Sequence, residues 1–408
     1  MPPDHRRNLL VIFDSALAAV NGRDVVRARL QRESLDRSVW LIAIGKAACA
    51  MARGAHDACG DRIAGALIVT KEGHAESLPW PVLETGHPLP DERSLAAGDA
   101  LIEFASNIPP DDQVLVLLSG GASALCEALP EGVTLSGLRE VNRWLLGSGL
   151  DIAAMNRVRK RLSRLKGGRL ARLLAPRSVL CLAISDVPAD DPRAIGSGPL
   201  SPDPDVMRSS DLAGMPEKIF AMLSHAVAAP LPGDACFRNI RFEIVARLDD
   251  ARRAACAAAR AAGYQAVMRP EFLDGETLGT GTRLARELAA APAGEVQVWG
   301  GETTLVLPSE PGRGGRNQSL ALSAAIELQG RKDIWLLAAG TDGTDGPTLD
   351  AGALVDGETV SRGESAGQIA RNALANADAG TFLEASGDLI QTGPTGTNVM
   401  DLVIGLRM

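Results

Sequence analysis

Aromatic residues make up only 3% of this chain, with a single tyrosine. That scarcity argues against the stacking platforms on which single-stranded nucleic acid lies. An excess of positive charge is missing as well, since the formal net charge is -8. Nothing therefore draws the chain to nucleic acid or to anionic membranes, and an anionic ligand must be held by a local cationic site. No stretch approaches the roughly 18 uninterrupted apolar residues of a membrane span. Asp14 interrupts the apolar run behind the charged N-terminus, which does not read as a signal peptide. The six cysteines (Cys49, Cys59, Cys126, Cys181, Cys236 and Cys256) form no C-x-x-C pair. Buried reduced thiols in a cytoplasmic protein are the expectation.

Several signature motifs are absent too. There is no G-x-x-x-x-G-K-[ST], so this is not a P-loop kinase. The four G-x-G triplets, at Gly147, Gly196, Gly279 and Gly312, meet Ile152, Ser201, Leu284 and Asn317 where the dinucleotide fingerprint needs Gly or Ala. The five histidines make no i, i+4 metal pair. One G-x-S-x-G occurs at 363–367, but no buried strand precedes it and no histidine follows His225, so it reads as a surface turn. No fixed-period repeat is present.

What the chain does have is alternation. With 408 residues it is longer than one core normally serves, and two domains are expected. Residues 9–20 carry apolar positions at helical spacing. Continuous apolar runs at 39–44, 65–70, 114–118 and 178–184 read as strands buried on both faces. Helices are expected at 47–60, 92–108, 135–146 and 153–165. The last has a basic face of Arg157, Arg159, Lys160, Arg161 and Arg164. Polar residues collect where the strands end. That is the pattern of a doubly wound parallel sheet with its ligand crevice at the strands' C-terminal ends. A proline-rich stretch, including Pro199, Pro202, Pro204, Pro216, Pro230 and Pro232, leads to a domain connection near 230–240. The second half restarts with strands at 242–246, 296–299, 304–307, 334–339 and 399–404. Helices are expected at 249–262, 278–290 and 318–328.

The candidate site residues sit at those strand ends. Ser119-Gly120-Gly121-Ala122-Ser123 follows the run at 114–118. Its glycines let backbone N–H groups approach a ligand, which suits a phosphate or a carboxylate. Lys46 follows Gly45 at the end of the first strand, where an ammonium can neutralise a transferring phosphoryl group. Lys166-Gly167-Gly168 has the composition of a second anion loop. Asp186, Asp190 and Asp191 end a strand and would repel an anion unless a magnesium ion joined them. Arg316, in a glycine-rich loop, can grip a carboxylate or phosphate through two parallel N–H bonds. For Asp342 and Asp345, spacing leaves turn capping and metal binding equally open.

These stretches together resemble the class II glycerate kinases, the glycerate 2-kinase family whose C-terminal region is called the MOFRL domain. The matching runs include IGKAACAMA (44–52), TGHPLPD (85–91), LLSGGASAL (117–125), NRVRKRLSRLKGGRLA (156–171), SDVPADDPRAIGSGPLSPDP (185–204), WGGETTLV (299–306), GRGGRNQ (312–318), AAGTDGTDGP (338–347) and GDLIQTGPTGTNVMDL (387–402). The resemblance implies an α/β protein of two domains with its site in the cleft between them. The first, 1–235, is a Rossmann-like doubly wound parallel sheet; the second, 236–408, is a MOFRL-like α/β domain with a mixed sheet. The opening segment 1–35 is free to pack on the second. The resemblance also implies ATP-dependent, magnesium-dependent phosphorylation of D-glycerate to 2-phosphoglycerate by a monomer or homodimer. It points to Lys46 and Arg316 as the principal catalytic positions. From the acidic strand end, Asp186, counted with them as catalytic, or Asp190 would engage the metal or accept the hydroxyl proton, and sequence leaves those two roles open. The loops themselves are expected to hold nucleotide or transferred phosphate, and the expected cofactor-binding residues are Ser119, Gly120, Gly121, Ser123, Lys166, Gly167, Gly168, Gly196, Ser197 and Gly198. Two residues depart from the pattern: Ala189 stands where the family more often has Gly, and Ser319 where an acid is common. Some members carry the label hydroxypyruvate reductase. The missing dinucleotide fingerprint and the lack of a His/acid proton donor argue against hydride transfer here. A non-catalytic sensor of a small phosphorylated acid would not need Lys46 and a metal site together.

Overall fold

A computed structural model describes residues 4–33, 37–150, 152–203 and 208–408, apart from the side chains of Leu146, Ile152, Ala153 and Ser209. Pro204 of the proline-rich stretch and residues 34–35 of the opening segment lie outside them. The chain divides into two compact units, Gly22–Val245 and Met1–Asn21 with Ala246–Met408. Helix α1 (His5–Ala19) thus belongs with the C-terminal residues. The sequence puts the change of domain at 235/236, whereas the first sheet continues through residues 240–246.

The unit spanning Gly22–Val245 is built on β1 (Val39–Ile44), β2 (Ile63–Lys71), β3 (Val82–Thr85), β4 (Gln113–Leu118), β5 (Ser178–Ile184) and β6 (Ile240–Ala246), in the order β3-β2-β1-β4-β5-β6. The pairs from β3 through β5 are parallel. The runs VWLIAI, QVLVLL and SVLCLAI are buried almost throughout because helices cover both faces of the sheet. The unit's helices are α2 (Gly22–Leu30), α3 (Ala48–Cys59), α4 (Glu92–Asn107), α5 (Ala122–Leu125), α6 (Leu135–Gly147), α7 (Ile152–Arg161), α8 (Arg169–Leu174) and α9 (Glu217–Leu223). Helix α4 starts at a capping box, in which the Asp91 carboxylate accepts the Ser94 N–H. Helices α6, α7 and α9 share a satellite core of Val141, Leu145, Val158, Leu162, Ile219 and Leu223. Strand order reverses between β1 and β4, which makes that pair the topological switch point.

The second unit adds α10 (Leu248–Ala261), α11 (Thr277–Ala290) and α12 (Arg316–Leu328) to a sheet ordered β11-β10-β9-β12-β8-β7. Its strands are β7 (Gln265–Leu273), β8 (Glu295–Gly301), β9 (Ile334–Gly340), β10 (Gly352–Asp356), β11 (Leu389–Ile390) and β12 (Asp401–Arg407). Strands β7 and β8 pair in parallel and the remaining pairs are antiparallel, so the sheet is mixed as expected. One expectation fails here and one holds in part. Residues 304–307 form no strand: Thr304 makes one isolated bridge to Glu276, and Val306 and Leu307 point into solvent. The G-x-S-x-G stretch, expected as a surface turn, is exposed over 364–367 and ends in a turn at 366–367, but its first three residues close helix α13 (Thr359–Ser365). Gly363 is there because a side chain would collide with the Phe382 ring, 2.2 Å from an added Cβ.

Candidate functional site

At the switch point the ends of β1 and β4 are tied to each other. Ser119 N–H donates to the Ile44 carbonyl at 3.1 Å, and Lys46 N–H donates to the Gly120 carbonyl at 2.9 Å. The Ser119 hydroxyl accepts the Ala47 N–H at 3.0 Å. Gly45 has a φ of +135, and an added Cβ would lie 2.1 Å from the Ser119 hydroxyl and 2.6 Å from its carbonyl. Only glycine allows this crossing. It brings Lys46 over the next turn: a Cβ on Gly121 would lie 3.3 Å from Lys46 Cγ and 3.1 Å from His87 Cδ2. Gly121 has a φ of +84. Among the described residues no group accepts the N–H of Gly120 or of Gly121. Two such backbone donors beside a lysine side chain suit an anion-binding turn. The expected Lys46 and Ser119–Gly121 are therefore together, though fully buried Ser119 shapes the turn and is not exposed to a ligand.

In the expected second anion loop, the donors are engaged within the protein. Gly167 N–H donates to the Ser197 carbonyl at 3.1 Å, and Gly168 N–H to the Gly198 carbonyl at 2.8 Å. Ser123 and Ser197 share a hydroxyl hydrogen bond at 2.9 Å. So Gly167, Gly168, Ser197 and Gly198 fasten one another, and their donors are spent on protein carbonyls. Gly196 packs in the same place, where an added Cβ would sit 3.3 Å from Ala122 Cβ. Lys166 is likewise engaged: its ammonium donates to Glu127 Oε2 at 2.5 Å, with Lys166 6% and Glu127 1% exposed. Ser163 binds the other Glu127 oxygen at 2.6 Å.

Beyond β5, the acidic turn divides. Asp191 is taken by Arg193 at 2.7 Å, which holds its carboxyl below the usual range. Asp186 and Asp190 are half-buried. Ala189 and Asp190 adopt φ values of 60 and 54, left-handed backbone that favours glycine. This gives a physical reason for glycine at position 189 in the family pattern. Among the described residues no three His, Cys, Asp or Glu side chains converge as a metal cage.

In the second unit, Arg316 opens α12. Its guanidinium donates to Glu302 at 2.5 Å and to Asp401 at 3.4 Å. The expected Arg316 is thus already between two carboxylates, neither of which the sequence reading singled out. The Asp345 carboxylate accepts the N–H groups of Asn317 at 3.1 Å and Gln318 at 2.8 Å, capping α12. Gly315 is required there, since an added Cβ would lie 2.3 Å from the Asp345 carboxyl. Asp342 accepts the Thr344 N–H at 2.9 Å, as a turn cap. Ser319 lies buried in α12 with no partner for its hydroxyl among the described residues.

Burial pushes Asp345 up to about 7, and burial pushes Asp401 up to about 6 against the pull of Arg316. Both groups hold their protons more tightly folded than unfolded. Their contribution to stability is therefore complete below the ordinary carboxylate range, and is lost as pH rises through about 6 and about 7. The melting temperature should fall between about pH 5 and about pH 8, and Asp401→Asn should flatten that fall. An unchanged slope in the variant would show that Asp401 does not titrate there.

Within the first unit, a cavity of about 260 Å³ opens beside Gly121. His87, Ser123, Glu127, Asn142, Asn156, Arg159 and Lys166 are among its lining residues. His87 lies in a quoted motif, and Arg159 was one of five basic residues on its helix. Glu127 and Asn142 carried no sequence signal.

Family models match a domain of unknown function (DUF4147) over residues 8–229 and the MOFRL family over residues 295–401. A D-glycerate 2-kinase from Thermotoga maritima is 37% identical, with 99% of each chain covered. A putative hydroxypyruvate reductase from Agrobacterium vitis is 39% identical over 97% of this chain and 93% of its own. The crystal structure of a glycerate kinase from Thermotoga maritima superposes with a TM-score of 0.86 at 35% identity, covering 100% of both chains. Matched from end to end in sequence and in fold, the chain belongs to the class II glycerate kinase family, the one that carries the MOFRL region.

Proposed function

We propose that this protein is a cytoplasmic glycerate 2-kinase that moves the γ-phosphoryl group of ATP to the 2-hydroxyl of D-glycerate, with Mg²⁺. The observation that carries the reading is the crossing at the switch point, where Lys46 lies over the unpaired donors of the Gly120-Gly121 turn. Phosphoryl transfer needs positioning and charge neutralisation more than covalent chemistry from the protein. In this reading Gly120 and Gly121 hold phosphate oxygens, and Lys46 balances the charge that gathers on the transferring group. Asp186 and Asp190 are the residues that would hold the metal. Two half-buried carboxylates without a third suit an ion that takes its other ligands from phosphate oxygens and water. The metal supplies charge neutralisation on the phosphate oxygens. Arg316 would be a further catalytic position, with its fork oriented by Glu302 and Asp401.

Hydride transfer is the competing activity, and the name of the Agrobacterium vitis relative keeps it in view. Against it stands the missing dinucleotide fingerprint. Purified protein should consume ATP with D-glycerate, stop on addition of EDTA and resume with Mg²⁺. It should not oxidise NADH or NADPH with hydroxypyruvate. Reductase turnover comparable with the kinase rate would overturn the reading, and full activity in EDTA would remove the metal from it.

A further inference from the structure

Helix α7 carries several cations, and the structure treats them differently. Arg157 is buried and makes a two-bond pair with Asp211, at 2.7 and 2.8 Å, which holds that carboxyl down at about 2. Lys160 is matched by Asp203 at 2.7 Å. Arg161 is exposed, as is Arg164 just beyond the helix. Arg159 differs from all of these. Its Nε donates to the Asn142 side-chain oxygen at 2.9 Å, and a longer bond runs to the Asn156 oxygen at 3.4 Å. Among the described residues no carboxylate pairs with it. Burial alone pulls its pKa down.

A partly buried guanidinium aimed by two neutral amides is a costly arrangement unless an anion completes it. Arg159 faces the cavity beside Gly121. The other charges lining that cavity, Lys166 and Glu127, neutralise each other at 2.5 Å. The cavity's net character is therefore cationic, and its unmatched group is a planar fork with two-bond geometry for carboxylate. Its volume of about 260 Å³ falls below the roughly 300–1,000 Å³ of sites for drug-sized ligands, and suits a small acid better than a nucleotide. Gly121 is shared: it lines the cavity on one side and lies under Lys46 on the other.

We propose that Arg159 binds the carboxylate of the acceptor hydroxy acid in this cavity, placing the acid's hydroxyl toward the Gly121 turn. This rests on the kinase reading above and moves the carboxylate grip from Arg316 to Arg159. Arg316 already faces two carboxylates of its own unit, whereas Arg159 faces none among the described residues. Asn142 and Asn156 are positioning residues, because they fix the plane of the fork.

The test uses the full-length protein and the variants Arg159→Gln, Arg159→Lys and Arg316→Gln, each checked for folding by circular dichroism and melting. For Arg159→Gln, the KM for D-glycerate should rise at least about tenfold, the scale of a charged hydrogen bond. The KM for ATP should stay within about twofold. The preference for D-glycerate over glycerol, which lacks the carboxylate, should collapse; a merely structural role would not change that ratio. Arg159→Lys should restore little, because an ammonium lacks the fork. Calorimetry without ATP should show D-glycerate binding to the parent and to Arg316→Gln but not to Arg159→Gln. A rise in the KM for ATP alone would assign the cavity to phosphate and overturn the proposal. So would loss of glycerate binding in Arg316→Gln but not in Arg159→Gln. Calorimetric binding by a parent that does not phosphorylate D-glycerate would sink the kinase reading and leave this site standing. Phosphorylation with unchanged KM in Arg159→Gln would sink this site alone.

Discussion

Replacing Lys46 with alanine should lower kcat about a hundredfold or more, on the scale seen when a transition-state charge donor is removed. The KM values for ATP and D-glycerate should change far less. The asymmetry follows from where the ammonium lies. Lys46 follows β1, its Cγ 3.3 Å from a Cβ built on Gly121, and the proposed reading puts the transferring group beside that turn. An interaction that strengthens only as the phosphoryl group moves appears in kcat and not in ground-state binding. The backbone that aims Lys46 is fixed by Gly45, Ser119 and Gly120 and does not depend on the lysine side chain, so the variant should fold normally. Steady-state kinetics with both substrates varied would check this. A Lys46→Ala enzyme with parental kcat and a raised KM for ATP would make the lysine a ground-state binder.

Replacing Lys166 with methionine should destabilise the protein by about 3–5 kcal/mol, because it strands a buried carboxylate. Glu127 would keep the Ser163 hydroxyl and the Ala128 N–H but lose its one cationic partner among the described residues. The double variant Lys166→Met/Glu127→Gln should recover much of the loss, since no unpaired charge then remains. Urea unfolding of the three proteins measures both effects. A Lys166→Met variant that keeps its stability but binds ATP poorly would return the lysine to the phosphate-binding role its sequence context suggests.

That contrast marks the limit of what residues in order could say. The strands β1, β4 and β5 were legible because each is a continuous apolar run between polar ends, the signature of burial on both faces. Lys46 and the Gly120-Gly121 turn were legible because they sit where those runs stop. Strand β7 escaped because it lies at the edge of its sheet, with charged Arg269 and Glu271 and only Leu273 fully buried. Residues 304–307 misled in the other direction, being apolar yet solvent-facing. Pairings across long distances were invisible. Lys166 and Glu127 lie 39 positions apart, and Arg316 and Asp401 lie 85 apart. Nothing local distinguishes a lysine awaiting a phosphate from one already matched by a buried glutamate. Nor could the helix sequence single out Arg159 from its four basic neighbours; only the absence of an opposing carboxylate did so.

The position of the new phosphate tests the central claim most directly. The protein is incubated with ATP, Mg²⁺ and D-glycerate, and the product is passed to enolase with no mutase present. Enolase dehydrates 2-phosphoglycerate and leaves 3-phosphoglycerate untouched. The account predicts phosphoenolpyruvate in proportion to the ATP consumed. ATP consumption with no phosphoenolpyruvate, or no ATP consumption at all, would contradict it.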